Sequence, residues 1–434
     1  MSAHRGAFID LRPFTVSRAF TRMWVGSTLA GLGGQLTLVA VMLHMYALTE
    51  STFAVSMIAV AGLIPMVIAG LYGGMLADAF DRRTVALLAA IVTFGSTIVL
   101  AALAWSGHTT EASLYILSVI NSAANSIVMA TRAAIVPRLI PRDLLPAASA
   151  LQGITVGIMV MAGPALGGVL VALTDYAWTY TIDVALMSFL FLGLWTLPHL
   201  PPEGETVKPG LRALADGWTF IRSSPNIRMQ YIMDIIAMTF GNPVALFPAV
   251  GAVILGGGSV TVGILTASIA AGAFLCSIFS GSLGRVRWQG VGIARSILVF
   301  GAATTLFGGV LLLAHFEAFS PGTIDDTHAN IVLIVLACVF LAIAGAADNV
   351  SAIFRNTMMQ AAVPDSMRGR LQGVFTVVVT GGPRLGALYM GTLATIGAIW
   401  VPPLLGGLVI IVLIATLLRA SASFRAYDAR DPKP

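Results

Sequence analysis

Apolar residues in this chain are gathered into long runs separated by short polar gaps. A helix needs about 20 residues to cross roughly 30 Å of hydrocarbon, and each run is long enough. Backbone groups in lipid must find hydrogen-bond partners within their own segment, so each run is predicted to be a transmembrane helix. The twelve runs lie at residues 18–47, 53–78, 84–106, 112–136, 145–173, 177–199, 228–254, 259–284, 290–314, 329–354, 369–396 and 399–418.

The basic residues follow the same segmentation. Apart from Arg384, the Lys and Arg residues lie at the two ends of the chain and around every second gap, with Arg132 assigned to the fourth gap and Arg355 to the tenth. The intervening gaps contain acids but no Lys or Arg, as at Glu111 and Asp175. Because cationic loops resist translocation, both termini and all even-numbered gaps are predicted to be cytoplasmic.

Composition excludes several function classes. A chain with 57% apolar residues, 10% charged residues and a mean hydropathy of +0.91 is not a soluble domain. Its pI near 9.5 fits cytoplasmic loops that face anionic headgroups, so no nucleic-acid partner is expected. Neither zinc-protease, hydrolase nor phosphate-binding motifs occur, and the two cysteines lack metal spacing. We therefore predict a monomeric, multi-pass protein of the inner or plasma membrane that is not an enzyme and has no cofactor or metal.

Two parts of the chain echo each other. Leu151-Gln152-Gly153 and Gly163-Pro164 recur as Leu371-Gln372-Gly373 and Gly382-Pro383, with offsets of 220 residues from Gly153 to Gly373 and 219 from Gly163 to Gly382. The echo predicts an all-α membrane protein of twelve helices in two six-helix pseudo-repeats, at 1–199 and 228–434. Residues 200–227 would form a cytoplasmic linker with a short amphipathic helix. Parallel repeats also imply a cavity between the halves and alternating access.

The second gap carries a motif that identifies a family. It reads Gly74-Met75-Leu76-Ala77-Asp78-Ala79-Phe80-Asp81-Arg82-Arg83. Here the chain resembles the major facilitator superfamily, whose second loop carries Gly-x-Leu-Ala-Asp-Arg-x-Gly-Arg-Lys. Ala79 and Asp81 depart from that pattern. The resemblance implies that Gly74, Asp78, Arg82 and Arg83 form a latch that closes in the outward-facing state. The alternative is an exposed salt bridge that only orients the loop.

Span five contains a strip of glycines. Gly157, Gly163, Gly167 and Gly168 suit tight helix packing, and Pro164 permits a bend because it lacks a backbone donor. The order of these residues is similar to the antiporter motif found in exporters of the superfamily. That similarity favours export, whereas packing with no influence on direction is the alternative.

Further segments narrow the resemblance to one branch. The segments 136–141, 145–148, 364–373 and 381–386 are similar to the corresponding parts of the enterobactin-exporter and macrolide-efflux branch. The resemblance implies a secondary active transporter that exports a small amphipathic molecule, such as a siderophore or drug-like compound, by proton antiport. A proton-coupled uptake symporter of a small metabolite is the alternative.

Ionisable residues inside spans are the predicted coupling and substrate residues, because charge within a membrane is costly. Asp234 in span seven and Asp348 in span ten lie on spans that line the cavity in this superfamily. Desolvation favours the neutral form of a carboxyl, as a proton carrier requires. Arg384 in span eleven is the expected partner if these acids form a fixed ion pair instead. Asp183 and His44, near the outer ends of spans six and one, are expected to be interfacial groups.

Three uncharged polar residues complete the candidate set. They are Gln35 in span one and, four residues apart in span four, Asn121 and Asn125. A spacing of four residues places two side chains on one helix face, so they are predicted to give the cavity a polar surface. Hydrogen bonding between helices is an equally open explanation.

Overall fold

A computed structural model describes residues 11–141, 144–201, 218–278, 286–316, 330–363 and 365–432 of this 434-residue chain. Helices account for nearly all of this part. The only extended pairing within it is a single bridge between Asp428 and Asp431. The surroundings of Gly74 and of the Asp78 side chain lie outside the described set.

Twelve helical segments match the twelve predicted spans, most of them within a few residues at each end. We number them α1 Arg18–Thr49, α2 Thr52–Ala61 with Leu63–Ala79, α3 Arg82–Ser106, α4 Glu111–Leu139, α5 Leu145–Thr174, α6 Tyr176–Trp195, α7 Pro225–Gly241, α8 Gly258–Ile278, α9 Gln289–His315, α10 Ile331–Ala362, α11 Asp365–Ile396 and α12 Val401–Ala420. Eleven segments among the described residues are long and apolar enough to cross a membrane, if α7 is counted with the turns that follow it. With α11, which has 32 residues, the predicted twelve-helix architecture is confirmed.

Local sequence signals set the ends of these helices. Asp81 caps α3, because its side chain accepts hydrogen bonds from the amides of Arg83 at 2.8 Å and Thr84 at 3.2 Å. At the other end of α3, Gly107 takes a φ of 68°, a left-handed conformation that glycine adopts without a steric penalty. Thr110 and Ser113 then form a reciprocal capping box that starts α4.

Span seven is interrupted, although its apolar run predicts one continuous segment. The helix α7 ends at Gly241, and Asn242 and Pro243 follow it. Short helical turns continue from Val244 and finish with a π-helical turn over Val250–Ile254. Proline cannot donate the backbone hydrogen bond that a continuous helix needs at that point. Hydropathy alone does not detect such a break.

Contacts within the chain define two compact units. The first contains Met1–His44 and Ile64–Lys208, and the second contains Met45–Leu63 and Pro209–Pro434. The segment Met45–Leu63 thus groups with the second unit, in which the hydroxyl of Thr52 donates to the carbonyl of Gly391 at 3.1 Å. The six-plus-six division around residues 200–227 stays a prediction. Residues 202–217 lie outside the described part, and residues 218–223 are helical.

Each unit has its own apolar core. In the first unit it includes Phe20, Val128 and Leu194, from α1, α4 and α6. In the second unit it includes Met233, Ile297, Met358 and Ile410, from α7, α9, α10 and α12. Large apolar side chains are also mostly exposed at many positions of the helices, as in Leu173 at 77% and Ile396 at 80%. Lipid is the solvent that such surfaces require.

Candidate functional site

Two acids and one arginine meet inside the second unit. Asp234 comes from α7, and Asp348 and Arg355 come from α10. Nη1 of Arg355 contacts Oδ1 of Asp234, and Nη2 of Arg355 lies 3.5 Å from Oδ1 of Asp348. The side chains of Arg355 and Asp234 are 8% and 4% exposed, whereas that of Asp348 is 40% exposed. The site therefore consists of one tight, buried ion pair and a second, looser acid.

The cation that pairs with these acids is Arg355, and not Arg384 as the sequence predicts. Arg384 was the expected partner, and Arg355 was assigned to a cytoplasmic gap. The helix α10 extends to Ala362, however, so Arg355 lies seven residues inside its end. Its burial is tolerable because a carboxylate neutralises it. Asp348 precedes Arg355 by seven residues, two helical turns, which places both on the same face of α10.

Arg384 occupies a different position in the second unit. It lies on α11 midway between Gly382 and Gly386, and both glycines pack against Met238 of α7. Two residues correspond to a rotation of about 200° around a helix, so Arg384 lies on another face of α11. It is half-buried there. Its role in coupling or substrate binding stays a prediction.

The first unit carries a second arginine inside a helix. Arg132 was assigned to the fourth gap, but α4 continues to Leu139 and includes it. Arg132 follows Asn125 by seven residues as Arg355 follows Asp348, and both pairs are offset by 223 residues. The ends of α4 and α10, at Leu139 and Ala362, have the same offset, because the connection that follows α4 is three residues longer than the one that follows α10. Its Nη1 lies 3.8 Å from the sulfur of Met129. Among the described residues no acid forms an ion pair with Arg132, in contrast to Arg355. The repeat thus keeps the cation and changes its surroundings.

The three uncharged polar candidates have different surroundings, and a shared polar surface in the cavity stays a prediction. The amide of Asn121 donates to the hydroxyls of Ser96 at 3.4 Å and Thr97 at 3.3 Å on α3, whereas Asn125 is exposed. Gln35 packs with its Cβ against Gly163 of α5. For Asn121 the structure therefore shows the hydrogen bond between helices that sequence reasoning left open.

The glycine strip of α5 packs on α1. Gly163 faces Gln35, and a Cβ on Gly167 would lie 3.2 Å from the Cα of Leu36. Pro164 and Gly168 are buried in the same helix, and Gly157 is half-buried. The second unit repeats the arrangement with Gly382 and Gly386 of α11 against α7. The strip therefore serves close packing in both units, and its influence on transport direction stays a prediction.

Of the four residues predicted to form the latch, the structure describes the contacts of Arg82 and Arg83. Nη1 of Arg82 donates to the carbonyl of Ala134 in α4 at 2.9 Å, and Nη2 of Arg83 donates to the carbonyl of Trp195 in α6 at 2.7 Å. Both arginines thus tie the start of α3 to the ends of neighbouring helices. The surroundings of Gly74 and of the Asp78 side chain lie outside the described set, so the latch itself stays a prediction.

Asp81, which departs from the superfamily pattern, organises this corner of the first unit. Besides capping α3, its carboxylate lies 2.9 Å from Nδ1 of His199 and accepts from the amide of Leu200 at 3.2 Å. Burial alone would raise the pKa of Asp81, but these hydrogen bonds and those from Thr84 and Arg83 outweigh burial and lower it. The helix start at Arg82 is the sequence signal that identifies an acid here as a cap.

Asp183 and His44 are buried, contrary to the expectation that they are interfacial. Asp183 is 2% exposed, and its Oδ2 accepts a hydrogen bond from the hydroxyl of Thr37 at 2.6 Å. His44 is 9% exposed, and its ring stacks on Tyr176 with centroids 4.2 Å apart. The correction follows from packing, since α1 and α6 lie against each other and cover both side chains.

Comparisons with known proteins agree with this architecture. A family profile described as transmembrane secretion effector matches residues 10–434. The enterobactin exporter EntS of Shigella boydii serotype 18 is 28% identical over 364 residues, which cover 84% of this chain and 82% of that protein. EntS of Citrobacter koseri is 28% identical over 392 residues, which cover 88% of this chain and 86% of that protein.

Solved structures share the fold at low identity. The nucleoside transporter NupG superposes with a TM-score of 0.65 at 16% identity, covering 94% of this chain and 99% of its own. A D-xylose-proton symporter superposes with a TM-score of 0.66 at 12% identity, covering 96% of this chain and 99% of its own. A profile that matches nearly the whole chain, together with twelve membrane-spanning helices, shows that the protein belongs to the transmembrane secretion effector family and is a multi-pass membrane transporter of the major facilitator superfamily.

Proposed function

We propose that this transporter exports a small amphipathic molecule, a siderophore or a drug-like compound, in exchange for protons. The observation that carries the proposal is the match to a secretion family over residues 10–434, together with similarity to enterobactin exporters over more than four fifths of both chains. The symporters of known structure share only the fold at this level of identity, so they carry no argument about direction. Alternating access is the transport mechanism we propose, as in other proteins of this fold.

The acid and arginine cluster of the second unit supports proton coupling. One guanidinium contacts two carboxylates, and it holds Asp234 more tightly than Asp348. A carboxyl that the cation holds only loosely can exchange a proton without leaving the buried arginine unpaired. We therefore assign the exchangeable proton of this cluster to Asp348. Asp234 keeps Arg355 in place whether or not Asp348 is charged.

The driving force is sufficient for export. One elementary charge that crosses a potential of 100 mV gains roughly 2.3 kcal/mol. Since about 1.4 kcal/mol corresponds to a factor of ten, one net charge per cycle sustains a concentration ratio of roughly 40. Any pH difference adds to this ratio. The cluster therefore needs only one exchangeable proton to drive cargo uphill.

Inverted membrane vesicles test direction and coupling together. Enterobactin is the first probe, because the matched relatives carry that name. Export by antiport predicts that vesicles with an acidic interior accumulate the probe and lose it when a protonophore is added. Asp348→Asn should abolish uphill accumulation but keep downhill exchange, and Asp428→Asn, at an acid outside the spans, serves as the control. Accumulation in intact cells together with proton uptake would instead establish a symporter.

A further inference from the structure

Three glycines bring α1 and α6 into close, antiparallel contact within the first unit. A Cβ on Gly193 would lie 2.8 Å from the carbonyl oxygen of Arg22, and Gly26 packs on the backbone of Phe189. Between these points, a Cβ on Gly33 would lie 3.2 Å from the Cα of Asp183. Glycine permits such approach because it has no side chain. The carboxyl of Asp183 is therefore enclosed by the backbone of α1.

No cation faces this carboxyl among the described residues. Oδ2 of Asp183 accepts from Thr37, and Oδ1 is buried without a hydrogen-bond partner there. The helices α1, α3 and α5 surround α6, and α5 has no titratable residue. Their titratable residues and those of α6 are Arg18, Arg22, His44, Tyr46, Arg82, Arg83, Tyr176 and Tyr180. The arginines lie at the opposite end of the bundle, since Arg22 precedes Thr37 by fifteen residues, or roughly 22 Å of helix.

Polar side chains are spaced along α1 and α6 between Asp183 and one end of α6. Tyr176, Tyr180 and Asp183 are spaced by four and three residues and so share one face of α6. On the facing helix, His44 follows Thr37 by seven residues, again on one face. Nδ1 of His44 lies 3.3 Å from the hydroxyl of Tyr180. These side chains end at Asp175, which is exposed at the end of α6 that the charge pattern places outside.

We infer that Asp183 is a proton-binding site of the first unit, supplied from the outer end of α6 through His44 and Tyr180. The inference rests on the proposed proton coupling. The proton binds Oδ1, the oxygen without a partner, while Thr37 continues to donate to Oδ2. Imidazole and phenol groups both accept and donate hydrogen bonds, which a relay requires. An antiporter takes up its driving proton from the outside, and these side chains extend in that direction.

A purely structural role makes a different prediction. If Asp183 only anchors α1 through Thr37, an amide at position 183 still accepts that hydrogen bond, and Asp183→Asn transports normally. If Asp183 binds the proton, the amide cannot replace it. We expect Asp183→Asn to lower uphill enterobactin accumulation in inverted vesicles by about tenfold or more while exchange stays within about twofold of wild type. Uphill accumulation within twofold of wild type would overturn the inference.

A second variant tests the inference independently, in case Asp183→Asn does not fold. Thr37→Val removes the hydrogen bond and keeps the carboxyl and the size of the side chain. Proton binding at Asp183 predicts that Thr37→Val still drives uphill accumulation, with a changed pH dependence. An anchoring role predicts that Thr37→Val loses uphill accumulation and exchange together. That second result would contradict the inference even without data on Asp183→Asn.

Carbodiimide labelling separates this inference from the identity of the cargo. Dicyclohexylcarbodiimide reacts with protonated carboxyls in apolar surroundings, and mass spectrometry locates the adduct. We expect Asp183 to be labelled in purified protein, with a labelled fraction that falls as the pH rises from about 5 to about 9. Asp234, which is paired with Arg355, should stay unlabelled. A fraction at Asp183 that is zero or constant over this range would refute the inference, whereas transport of no probe by wild type would refute only the proposed cargo.

Discussion

Removing one partner of the buried ion pair in the second unit should destabilise the protein strongly. Arg355→Met deletes the guanidinium but keeps an unbranched side chain of similar length, so the change is chiefly one of charge. Asp234 then remains as a carboxylate that is 4% exposed. Water cannot solvate it at that depth.

The structure sets the expected magnitude. Breaking a buried ion pair from one side costs about 3–5 kcal/mol, because the remaining charge is left uncompensated. Asp348 cannot compensate the charge of Asp234, because it adds negative charge near the same point. Loss of Asp348 is milder, because its side chain is 40% exposed and its contact with Arg355 is 3.5 Å long. We expect Asp348→Asn to cost about 1 kcal/mol or less.

Thermal unfolding in detergent measures these differences. At roughly 2 °C per kcal/mol for a large domain, Arg355→Met should lower the apparent Tm by about 6–10 °C. Arg295→Met, at an exposed arginine of α9, is the matched control and should change it by only about 1 °C. The double variant Asp234→Asn, Arg355→Met should recover most of the loss, because it leaves no fully buried charge unpaired, and the Asp348 carboxylate that remains is 40% exposed. A double variant no more stable than Arg355→Met would refute the argument.

Three further predictions concern the cap of α3, the glycine strip of α5 and the membrane topology. Asp81→Ala should cost about 1 kcal/mol through loss of the α3 cap. Because the pKa of Asp81 is lowered by folding, its contribution is present at neutral pH and fades as the pH falls below about 4, where the unfolding curves of variant and wild type should converge. Gly167→Ala should cost about 1–3 kcal/mol by crowding Leu36, whereas Gly95→Ala, with open space around it, should be neutral or slightly stabilising in the same unfolding assay. With the native cysteines replaced, a cysteine at Glu111 should react with an impermeant thiol reagent in intact cells, and one at Lys208 should react only after permeabilisation.

The helices were predictable because one strong physical constraint fixes them. A span must be long, apolar and free of unsatisfied backbone groups, and this requirement is visible in a single sequence. The repeat and the glycine strip of α5 were visible in the sequence itself, and the family resemblance added the interpretation of the second gap as a latch and of the strip as an antiporter motif. The break after Gly241 was missed because Asn242 and Pro243 interrupt the backbone without interrupting the apolar run.

The charged site was harder to predict because it depends on which helices touch. Counting Arg355 and Arg132 as loop residues was reasonable, since basic residues mark cytoplasmic ends, yet both helices extend past their apolar runs. Asp183 lies seven residues from the start of α6, a depth at which water is within reach in an isolated helix. In the folded chain Gly33 of α1 packs directly on Asp183, and this contact joins residues 150 positions apart in the sequence.

The two units show how one helical frame carries different charges. Gly163 and Gly167 in one unit and Gly382 and Gly386 in the other bring equivalent helices together. Ionic groups at repeated positions have diverged on that frame. The acid Asp348 of the second unit corresponds to the amide Asn125 of the first, although the cation seven residues further on is an arginine in both. The glycines determine how closely two helices approach, whereas the charged side chains determine which ions can bind between them. A change of charge at one position therefore leaves the close packing of the helices intact.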